Sequence, residues 1–310
     1  MQARTIRIGT RGSPLALAQA HETRTRLMAA HGLPESRFEI CIIKTTGDMI
    51  LDRPLSEAGG KGLFTKEIED ALIARDIDLA VHSMKDVQTA LPDSLMLAAI
   101  FPREDVRDAF ISLKYRSISE LPQGARVGTS SLRRQAQIKR MRPDLDVVGF
   151  RGNVQTRLKK LEDGVADATF LACAGLNRLG YADRIAERIP TEVMLPAVAQ
   201  GAIGIECSAD YTEVRALLAP LHHAASGTCV EAERTFLARL EGSCRTPIAG
   251  LAELGADGRL SFRGEILSPD GREHHATSRS GATGDITDVA MAAAEDLLSR
   301  ASPDIFRALV

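Results

Sequence analysis

Three turns of this chain place arginine and hydroxyl side chains where a short apolar strand gives way to a helix. They span residues 6–14, 127–134 and 147–154. A helix start presents unpaired backbone N–H groups and a partial positive charge. Arginine adds a planar fork of charged donors that suits carboxylates and phosphates. Repetition of this arrangement in one chain indicates a ligand that carries several negative charges.

The residue types in these turns predict where each helix begins. Ser13, Ser131 and Asn153 are favourable N-cap residues, and Pro14 suits the first helical position. The arginines of the three turns are Arg11, Arg133, Arg134 and Arg151. Because ligands of open α/β sheets bind where strands end, we predict that these arginines hold the anionic ligand.

Further basic residues lie between residues 126 and 160, and most of them fit an ordinary solvated helix face. The residues interpreted in this way are Lys139, Arg140, Lys159 and Lys160. Arg157 differs, because it follows Asn153 by one helical turn and can face the same way. A nucleic-acid interface is the alternative, but neither aromatic side chains among the charges nor a known binding module supports it.

A second group of candidate residues follows the predicted strand at residues 78–82. Lys85 and Asp86 are adjacent, and the simplest interpretation is an exposed ion pair of little energetic value. An aspartate among many arginines weakens anion binding, however. Its presence fits a need for negative charge, such as the stabilisation of a cation formed during a reaction. His82 is interpreted as a strand-end histidine whose hydrogen bonds are satisfied.

The third group surrounds Cys244, which lies in a Gly-Ser-Cys-Arg-Thr-Pro turn. It is either an ordinary loop cysteine or an accessible thiol whose thiolate form is favoured by Arg245. His222 and His223 leave a cysteine–histidine hydrolase open, because such an enzyme needs a base beside its thiol. The chain has five cysteines without a close metal-binding pair. Those in apolar runs are interpreted as buried small hydrophobic residues, and they are Cys41, Cys173 and Cys207.

The elements that must position these groups alternate between strand-like and helix-like over residues 1–200, which predicts α/β layers. The predicted strands are residues 4–9, 38–44, 78–82, 95–101, 109–113, 126–128, 146–150, 168–172 and 202–207. The predicted helices are residues 14–31, 64–74, 131–141, 154–163 and the region around 177–179. In the first helix, Leu15, Ala18, Leu27 and Met28 are predicted to share the apolar face.

From about residue 228 the pattern changes to a smaller α+β module. A predicted helix over residues 229–240 precedes strands near 248–254, 260–267 and 274–279, and a C-terminal amphipathic helix covers residues 287–301. Residues 45–62 have no clear period and contain several glycines. Long segments of this kind are often lids or binding loops, which is our expectation here.

Composition excludes some classes of protein. The 310 residues carry a net charge of −2, so nothing indicates a protein that coats nucleic acid. Apolar runs are too short to cross a membrane, and the first residues lack the apolar core of a signal peptide. We therefore expect a cytoplasmic protein of two or three domains.

The three groups occur together in one known family, and the chain resembles the porphobilinogen deaminases, or hydroxymethylbilane synthases, over almost its whole length. Each matching segment alone is a weak signal, but their order and spacing are highly specific. These segments are residues 10–17, 59–64, 82–86, 128–134, 151–154, 195–198, 200–202 and 240–244.

The resemblance implies a reaction that the residues alone do not reveal. In that family, four porphobilinogen molecules are joined head to tail, each with loss of ammonia, and the linear tetrapyrrole hydroxymethylbilane is released. A dipyrromethane cofactor, held by a thioether to a cysteine, acts as the primer, and that cysteine matches Cys244. Every porphobilinogen unit brings an acetate and a propionate, which accounts for the arginine-rich turns.

The resemblance also implies roles for individual residues. Asp86 matches the catalytic aspartate, which would stabilise the cationic azafulvene left by ammonia loss. The implied cofactor ligands are Cys244, Lys85, Asp86, Ser131, Arg133, Arg134 and Arg157. The implied substrate ligands are Arg11, Ser13, Thr129, Arg151, Lys61, Phe64 and Gln200.

The family fold consists of two α/β domains like those of periplasmic binding proteins, joined by two crossovers, with a smaller C-terminal α+β domain. The boundaries implied here are residues 1–101 with 201–220 for the first domain, 106–196 for the second and 224–310 for the third. The third domain would carry the cofactor cysteine, and the active site would be the cleft between domains.

By the same resemblance we expect a monomer that binds porphobilinogen, has no nucleic-acid or membrane partner, and passes its product to the next enzyme of porphyrin and haem biosynthesis. The chain departs from common family residues at Glu57, Gln88, Ala199 and Ser243. None of these changes removes a proposed catalytic group. They bear on loop stiffness and rate.

Two rival functions use the same features. A non-catalytic protein that binds a polyanionic solute could share the two-domain architecture, although the combination of Asp86 and Cys244 argues against it. The cysteine–histidine hydrolase centred on Cys244 is the weaker rival.

Overall fold

The computed structural model describes residues 4–49, 62–242 and 246–302, together with Ile305. The chain divides into two compact units. The first unit comprises the described parts of Met1–Glu104 together with Ala202–Gly227, and the second comprises those of Asp105–Gly201 and Thr228–Val310. The chain therefore passes from one unit to the other three times. The finer division into three domains stays a prediction.

The strands occur in all parts of the sequence. In chain order they are β1 (Ile6–Thr10), β2 (Phe38–Ile42), β3 (Leu79–Ser83), β4 (Leu95–Ile100), β5 (Asp108–Ile111), β6 (Arg126–Gly128), β7 (Asp146–Val148), β8 (Ala168–Ala172), β9 (Glu187–Arg188), β10 (Ile203–Ser208), β11 (Ile248–Leu254), β12 (Arg259–Leu267) and β13 (His274–Ala282).

The helices alternate with these strands through most of the chain. In chain order they are α1 (Pro14–His31), α2 (Thr46–Met49), α3 (Lys66–Ile73), α4 (Leu132–Met141), α5 (Val154–Glu162), α6 (Cys173–Arg178), α7 (Thr212–Leu218), α8 (Ala224–Arg239) and α9 (Ile286–Arg300).

The first unit is built on a five-stranded sheet with the order β2-β1-β3-β10-β4. The strands β1, β2 and β3 are parallel, whereas β10 is antiparallel to both of its neighbours. The core lies on this sheet and includes Ile8, Leu79, Val81 and Ile205. These residues come from three neighbouring strands and pack in one hydrophobic cluster.

The face with which helix α1 covers this sheet shares only Leu27 with the predicted face. Its buried residues are Ala16, Gln19, Ala20, Thr23 and Leu27, whereas Leu15, Ala18 and Met28 of the predicted face are only half-buried. Small side chains lie against the sheet, and Gln19 is turned inward by a hydrogen bond to Ser83. A hydrophobicity pattern does not detect such a face, because alanine and glutamine contribute little to it.

The second unit contains another five-stranded sheet, with the order β7-β6-β8-β5-β9. The strands β6, β7 and β8 are parallel, and β5 is antiparallel to β8 and β9. Phe110 and Phe170 are fully buried, and their ring centroids lie 6.0 Å apart.

The same unit also contains an antiparallel sheet of β11, β12 and β13, on which α9 packs. Phe236 of α8 meets Phe262 of β12 with ring centroids 4.8 Å apart. The predicted fold class is confirmed: two mixed α/β sheets and a smaller C-terminal α+β region.

This topology decides where the candidate residues lie. Because β1 and β3 are parallel neighbours, the turn that follows β1 and the turn that follows β3 lie at the same edge of the first sheet. Likewise, the turns after β6 and β7 share one edge of the second sheet. Among the described residues, no helix has the length and apolar character needed to cross a bilayer.

Candidate active site

The three strand-to-helix turns have the predicted helix caps. Ser13 Oγ accepts a hydrogen bond from the Ala16 N–H at 3.3 Å, and Pro14 is the first residue of α1. Ser131 Oγ accepts from the Arg134 N–H at 3.4 Å. Asn153 Oδ1 accepts from the Thr156 N–H at 2.9 Å. All three cap predictions are confirmed.

A pocket of the first unit brings together residues from the turns after β1 and β3. Arg11, Ser13, Gln19, Phe64, Ser83 and Asp86 contribute to its lining. Asp86 ends the single helical turn Met84–Asp86 that follows β3 directly, and 32% of its side chain is exposed. Its carboxylate is therefore available to a bound ligand.

Arg11 connects this pocket to an acidic residue that sequence reasoning missed. Arg11 Nε donates to Asp48 Oδ2 at 3.1 Å, and Nη2 donates to the other oxygen of the same carboxylate. Arg11 Nη1 lies 3.9 Å from Asp86 Oδ2. Burial tends to lower the pKa of Arg11, but the hydrogen bond with Asp48 and the charges of Asp86 and Asp48 raise it. Arg11 is thus a fixed positive charge.

Next to the pocket, the buried side chains of Glu69, His82 and Glu206 lie close together where α3 packs on β3 and β10. His82 Nε2 is 3.0 Å from Glu206 Oε2, and both side chains are buried. Burial, with a contribution from the charge of Glu206, raises the pKa of Glu69, against opposing effects of Thr65 and His82. The histidine predicted to be satisfied at a strand end therefore has a carboxylate neighbour.

In the second unit, the two arginines of the first turn of α4 share a single carboxylate. Arg133 and Arg134 are only 4% and 5% exposed, and Asp108 is fully buried. Arg133 Nη1 lies 2.7 Å from Asp108 Oδ2, and Arg134 Nη2 lies 2.6 Å from Oδ1. Burial alone would raise the pKa of Asp108, but the charges of Arg133 and Arg134 hold it well below its usual range.

Amide side chains complete this buried network. Gln200 Nε2 donates to Asp108 Oδ1 at 3.0 Å and to the Val106 carbonyl at 2.8 Å. Gln137 Oε1 accepts from Arg133 at 2.9 Å, and its Nε2 donates to Glu265 of β12. Gln200 is itself fully buried. Its contact with substrate stays a prediction. In the structure its amide nitrogen contacts Asp108 and the Val106 carbonyl.

The remaining predicted residues of this unit lie at the ends of β6 and β7. Thr129 is buried, and its Oγ1 accepts from the Ser131 N–H at 3.2 Å. Arg157 Nε donates to the Gly152 carbonyl at 2.9 Å, so its side chain folds back over the start of α5 as the spacing predicted. Arg151 and Arg157 are half-buried, so each is accessible to a ligand.

Some predicted site residues cannot be located in this way. Lys61 and Cys244, with Glu57 and Ser243, lie outside the described residues, as do residues 50–61 of the segment predicted to be a lid. Lys85 is half-buried in the turn Met84–Asp86. The proposed hydrolase base has other contacts, since His222 Nδ1 accepts from the Ile100 N–H and His223 Nδ1 contacts Ser226 Oγ.

Asp48, Asp108 and Gln137 were absent from the predicted site. Asp48 lies in an irregular stretch without period, and Asp108 begins a short strand where an acidic residue usually marks a loop. The several arginines of the predicted turns did indicate that carboxylates lie nearby, because a buried guanidinium group needs a partner of opposite charge. It does not say which carboxylate is used.

The fold and the two groups of residues define a class of protein. Each unit has a mixed α/β sheet with charged donors at the strand ends, and the first adds a carboxylate in a pocket. This is a protein that binds an anionic ligand and can stabilise positive charge beside it.

Comparison with known proteins identifies the family. The chain matches the family described as "Porphobilinogen deaminase, dipyromethane cofactor binding domain" over residues 6–216 and "Porphobilinogen deaminase, C-terminal domain" over residues 227–299. It is 62% identical to porphobilinogen deaminase of Paracoccus denitrificans over 301 residues, covering 97% of this chain and 96% of the relative. The chain belongs to the porphobilinogen deaminase family.

Comparison also finds more distant similarities. The chain is 55% identical over 306 residues to the chloroplastic porphobilinogen deaminase of Pisum sativum, covering 97% of this chain and 83% of the relative. A periplasmic substrate-binding protein of a Coxiella burnetii ABC transporter matches with a TM-score of 0.44 and 12% identity, over 72% of this chain and 94% of that one. The latter likeness is too weak to support an argument.

Family membership establishes the reaction. The chain is a transferase of tetrapyrrole biosynthesis that joins porphobilinogen molecules with loss of ammonia, and its cofactor is dipyrromethane. The described residues fit such a group. Arg133 Nε is buried with no hydrogen-bond partner among them, and a carboxylate of a bound ligand would satisfy it.

Proposed function

We propose that Asp86 is the catalytic residue of this transferase. Loss of ammonia from porphobilinogen leaves a cationic azafulvene, and a carboxylate held beside that cation lowers the barrier to its formation. The observation that supports this role is the place of Asp86, in the pocket, partly exposed and next to Arg11. The same carboxylate can accept hydrogen bonds from pyrrole N–H groups.

Other residues are proposed to hold the carboxylates of the substrate. Arg11 and Arg151 supply charged donors, and Ser13 and Thr129 supply hydroxyl groups near helix starts. The complete proposed set is Arg11, Ser13, Thr129, Arg151, Lys61, Phe64 and Gln200. Since porphobilinogen carries an acetate and a propionate, such donors would orient it and also bind the growing chain.

A further set is proposed to hold the dipyrromethane cofactor, with Cys244 as the covalent anchor through a thioether. When bound, the cofactor supplies the pyrrole carbon on which the chain is extended. The residues proposed to hold its carboxylates and N–H groups are Lys85, Asp86, Ser131, Arg133, Arg134 and Arg157. Arg133 and Arg134 are positioned for this role by Asp108, which fixes both guanidinium groups.

Replacement of Asp86 by asparagine tests the catalytic role. We expect Asp86→Asn to lower turnover by about 100-fold or more, because a neutral amide cannot stabilise a cation as a carboxylate does. The exposed Asp93→Asn is the matched control in the same unit. Turnover is measured as hydroxymethylbilane formed per chain, and the intact mass reports whether the cofactor is present.

Near-normal turnover of Asp86→Asn would contradict the catalytic role. An intact mass without the cofactor would instead assign Asp86 to cofactor assembly, and a normal mass with low turnover would support catalysis itself.

The state of the chain in the cell is also a proposal. We infer that it works as a monomer in the cytoplasm and passes hydroxymethylbilane to the next enzyme of the pathway. The family's small-molecule substrate supports this inference, since the reaction needs no macromolecular partner. Light scattering of the purified chain and fractionation of the source cells test the first two statements.

A further inference from the structure

The guanidinium group of Arg11 is held in place by the carboxylate of Asp48. Asp48 occupies its Nε–Nη2 edge with both carboxylate oxygens. Asp48 Oδ2 also accepts from the Thr45 hydroxyl at 2.8 Å, so the carboxylate is itself fixed. Burial opposes ionisation of Asp48, but the hydrogen bond and charge of Arg11 outweigh it and lower the pKa of the carboxyl group.

The other sides of the same guanidinium group face the pocket. Its central carbon lies 4.2 Å from the centroid of the Phe64 ring, which holds the plane by a cation–π contact. Nη1 points towards Asp86, at 3.9 Å from Oδ2. A guanidinium group has a second donor edge, formed by Nη1 and Nη2. That edge remains for a ligand when the Nε–Nη2 edge is occupied.

Asp48 also keeps Arg11 from pairing fully with Asp86. The separation of 3.9 Å is longer than a hydrogen bond, although the two groups have opposite charge. A guanidinium group released from Asp48 would be free to rotate towards Asp86 and form a close pair. Such a pair would remove a donor from the substrate and would neutralise the carboxylate proposed to stabilise the reacting cation.

We propose that Asp48 is a positioning residue for substrate binding, which fixes Arg11 so that its free edge meets a carboxylate of porphobilinogen beside Asp86. This inference rests on the proposed role of Arg11 as a substrate ligand. Asp48 itself touches neither the substrate nor the reacting atoms in this account. It acts only through Arg11, which makes the proposal testable by a double-mutant cycle.

The cycle compares Asp48→Asn, Arg11→Lys and the double variant, each checked for cofactor by intact mass. We expect each single variant to raise KM by about 10-fold or more, because misplacement of a binding group by about 1 Å is costly. The double variant should have the KM of Arg11→Lys alone. If the increases in KM of the two single variants multiply in the double variant, the positioning role is overturned. An unchanged KM in Arg11→Lys would overturn the proposed role of Arg11 and this inference with it.

Glu67→Gln provides the matched control. Glu67 holds the same short helix, α2, through hydrogen bonds from the Thr46 N–H at 2.9 Å and from the Thr46 hydroxyl, and it is not among the partners of Arg11 given by the structure. We expect its KM to stay near that of the parent chain. An equal rise of KM in Glu67→Gln and Asp48→Asn would show that the fold of this segment, and not the charge pair, is responsible.

A measurement without substrate gives an independent readout. The Nε–H signal of Arg11 in ¹⁵N NMR spectra can be assigned by its loss in Arg11→Lys. We expect this hydrogen to exchange with water at least about 10-fold faster in Asp48→Asn, because its acceptor is weakened. Exchange at the parental rate would contradict the inference.

Discussion

Asp108 is the residue whose role differs most from what its surroundings in the sequence suggest. Its carboxylate pairs with two buried guanidinium groups and also accepts from Gln200. A buried charge without a partner is far more costly than a buried charge with one. The turn that carries Ser131 and both arginines therefore depends on one carboxylate of another element.

We predict that Asp108→Asn lowers the free energy of unfolding by about 3–5 kcal/mol, since it leaves two buried arginines with a neutral neighbour. Urea unfolding measures this change. Asp144→Asn is the control, because Asp144 pairs with Arg142 near the surface of the same unit and its loss should have little effect. Equal effects of the two substitutions would contradict the assigned role of Asp108.

The pH dependence has a definite sign. The pKa of Asp108 is lower in the folded chain than its ordinary value of 3.8, so the unfolded chain binds more protons in the acidic range. The stabilisation is complete above that ordinary value and is lost as the pH falls. Asp108→Asn should therefore reduce the acid dependence of stability.

At the scale of elements, the cap residues predicted the starts of α1, α4 and α5 to within one residue, whereas α8 begins at Ala224 and not at the predicted residue 229. The helix α1 has the predicted bounds, 14–31, and β6 and β8 also match. Three short elements, α2, α7 and β9, were missed, because none of them has enough residues to show a period. The partners of Arg133 and Arg134 could not be predicted, since Asp108 lies 25 and 26 residues away and meets them only in the folded sheet.

The contact of α3 with the first sheet has a consequence for stability. Glu69 of α3 is buried near Glu206 of β10 and His82 of β3. Burial and Glu206 raise the pKa of Glu69 above its ordinary value of 4.5. Just above pH 4.5, Glu69 therefore holds its proton more strongly in the folded chain than in the unfolded chain. Stability contributed by this group is full below 4.5 and declines as the pH rises through the folded pKa.

We predict that Glu69→Gln weakens this decline, because an amide cannot ionise, and that the variant loses less stability than the parent as the pH rises from 4.5. Urea unfolding across that range provides the measurement. Asp93→Asn, which removes an exposed carboxyl group of the same unit, is the control and should follow the parent. A Glu69→Gln variant that declines as steeply as the parent would show that Glu69 is ionised throughout.

At the scale of the whole molecule, the cysteines differ sharply in accessibility. Cys173, Cys207 and Cys229 are buried, and Cys41 is half-buried. Burial raises the pKa of Cys173 to about 12 and that of Cys207 to about 11. Since the thiolate is the reactive form, these thiols resist alkylation in the folded chain. The prediction of burial is confirmed for Cys173 and Cys207 and is wrong for Cys41, which is half-buried at the end of β2.

We predict that the chain from a host that makes porphobilinogen has an intact mass greater than its sequence mass by about two pyrrole units, and that Cys244→Ala lacks this excess. In a Cys41→Ser background, native alkylation should leave the parent unlabelled, because a thioether cannot react. A parent that stays unmodified after incubation with porphobilinogen, and is alkylated at Cys244, would contradict the anchor role.

The position of β10 determines the order in which the chain can fold as the ribosome makes it. This strand lies between β3 and β4, so the first sheet is incomplete until Ser208 has been synthesised. All strands of the second large sheet fall between Asp108 and Arg188 and leave the ribosome earlier. The middle of the polypeptide can thus close its sheet before the beginning does. Until then β3 and β4 present unpaired backbone N–H and C=O groups along the edges that β10 later covers, and a nascent chain with such edges is prone to aggregation and needs chaperones.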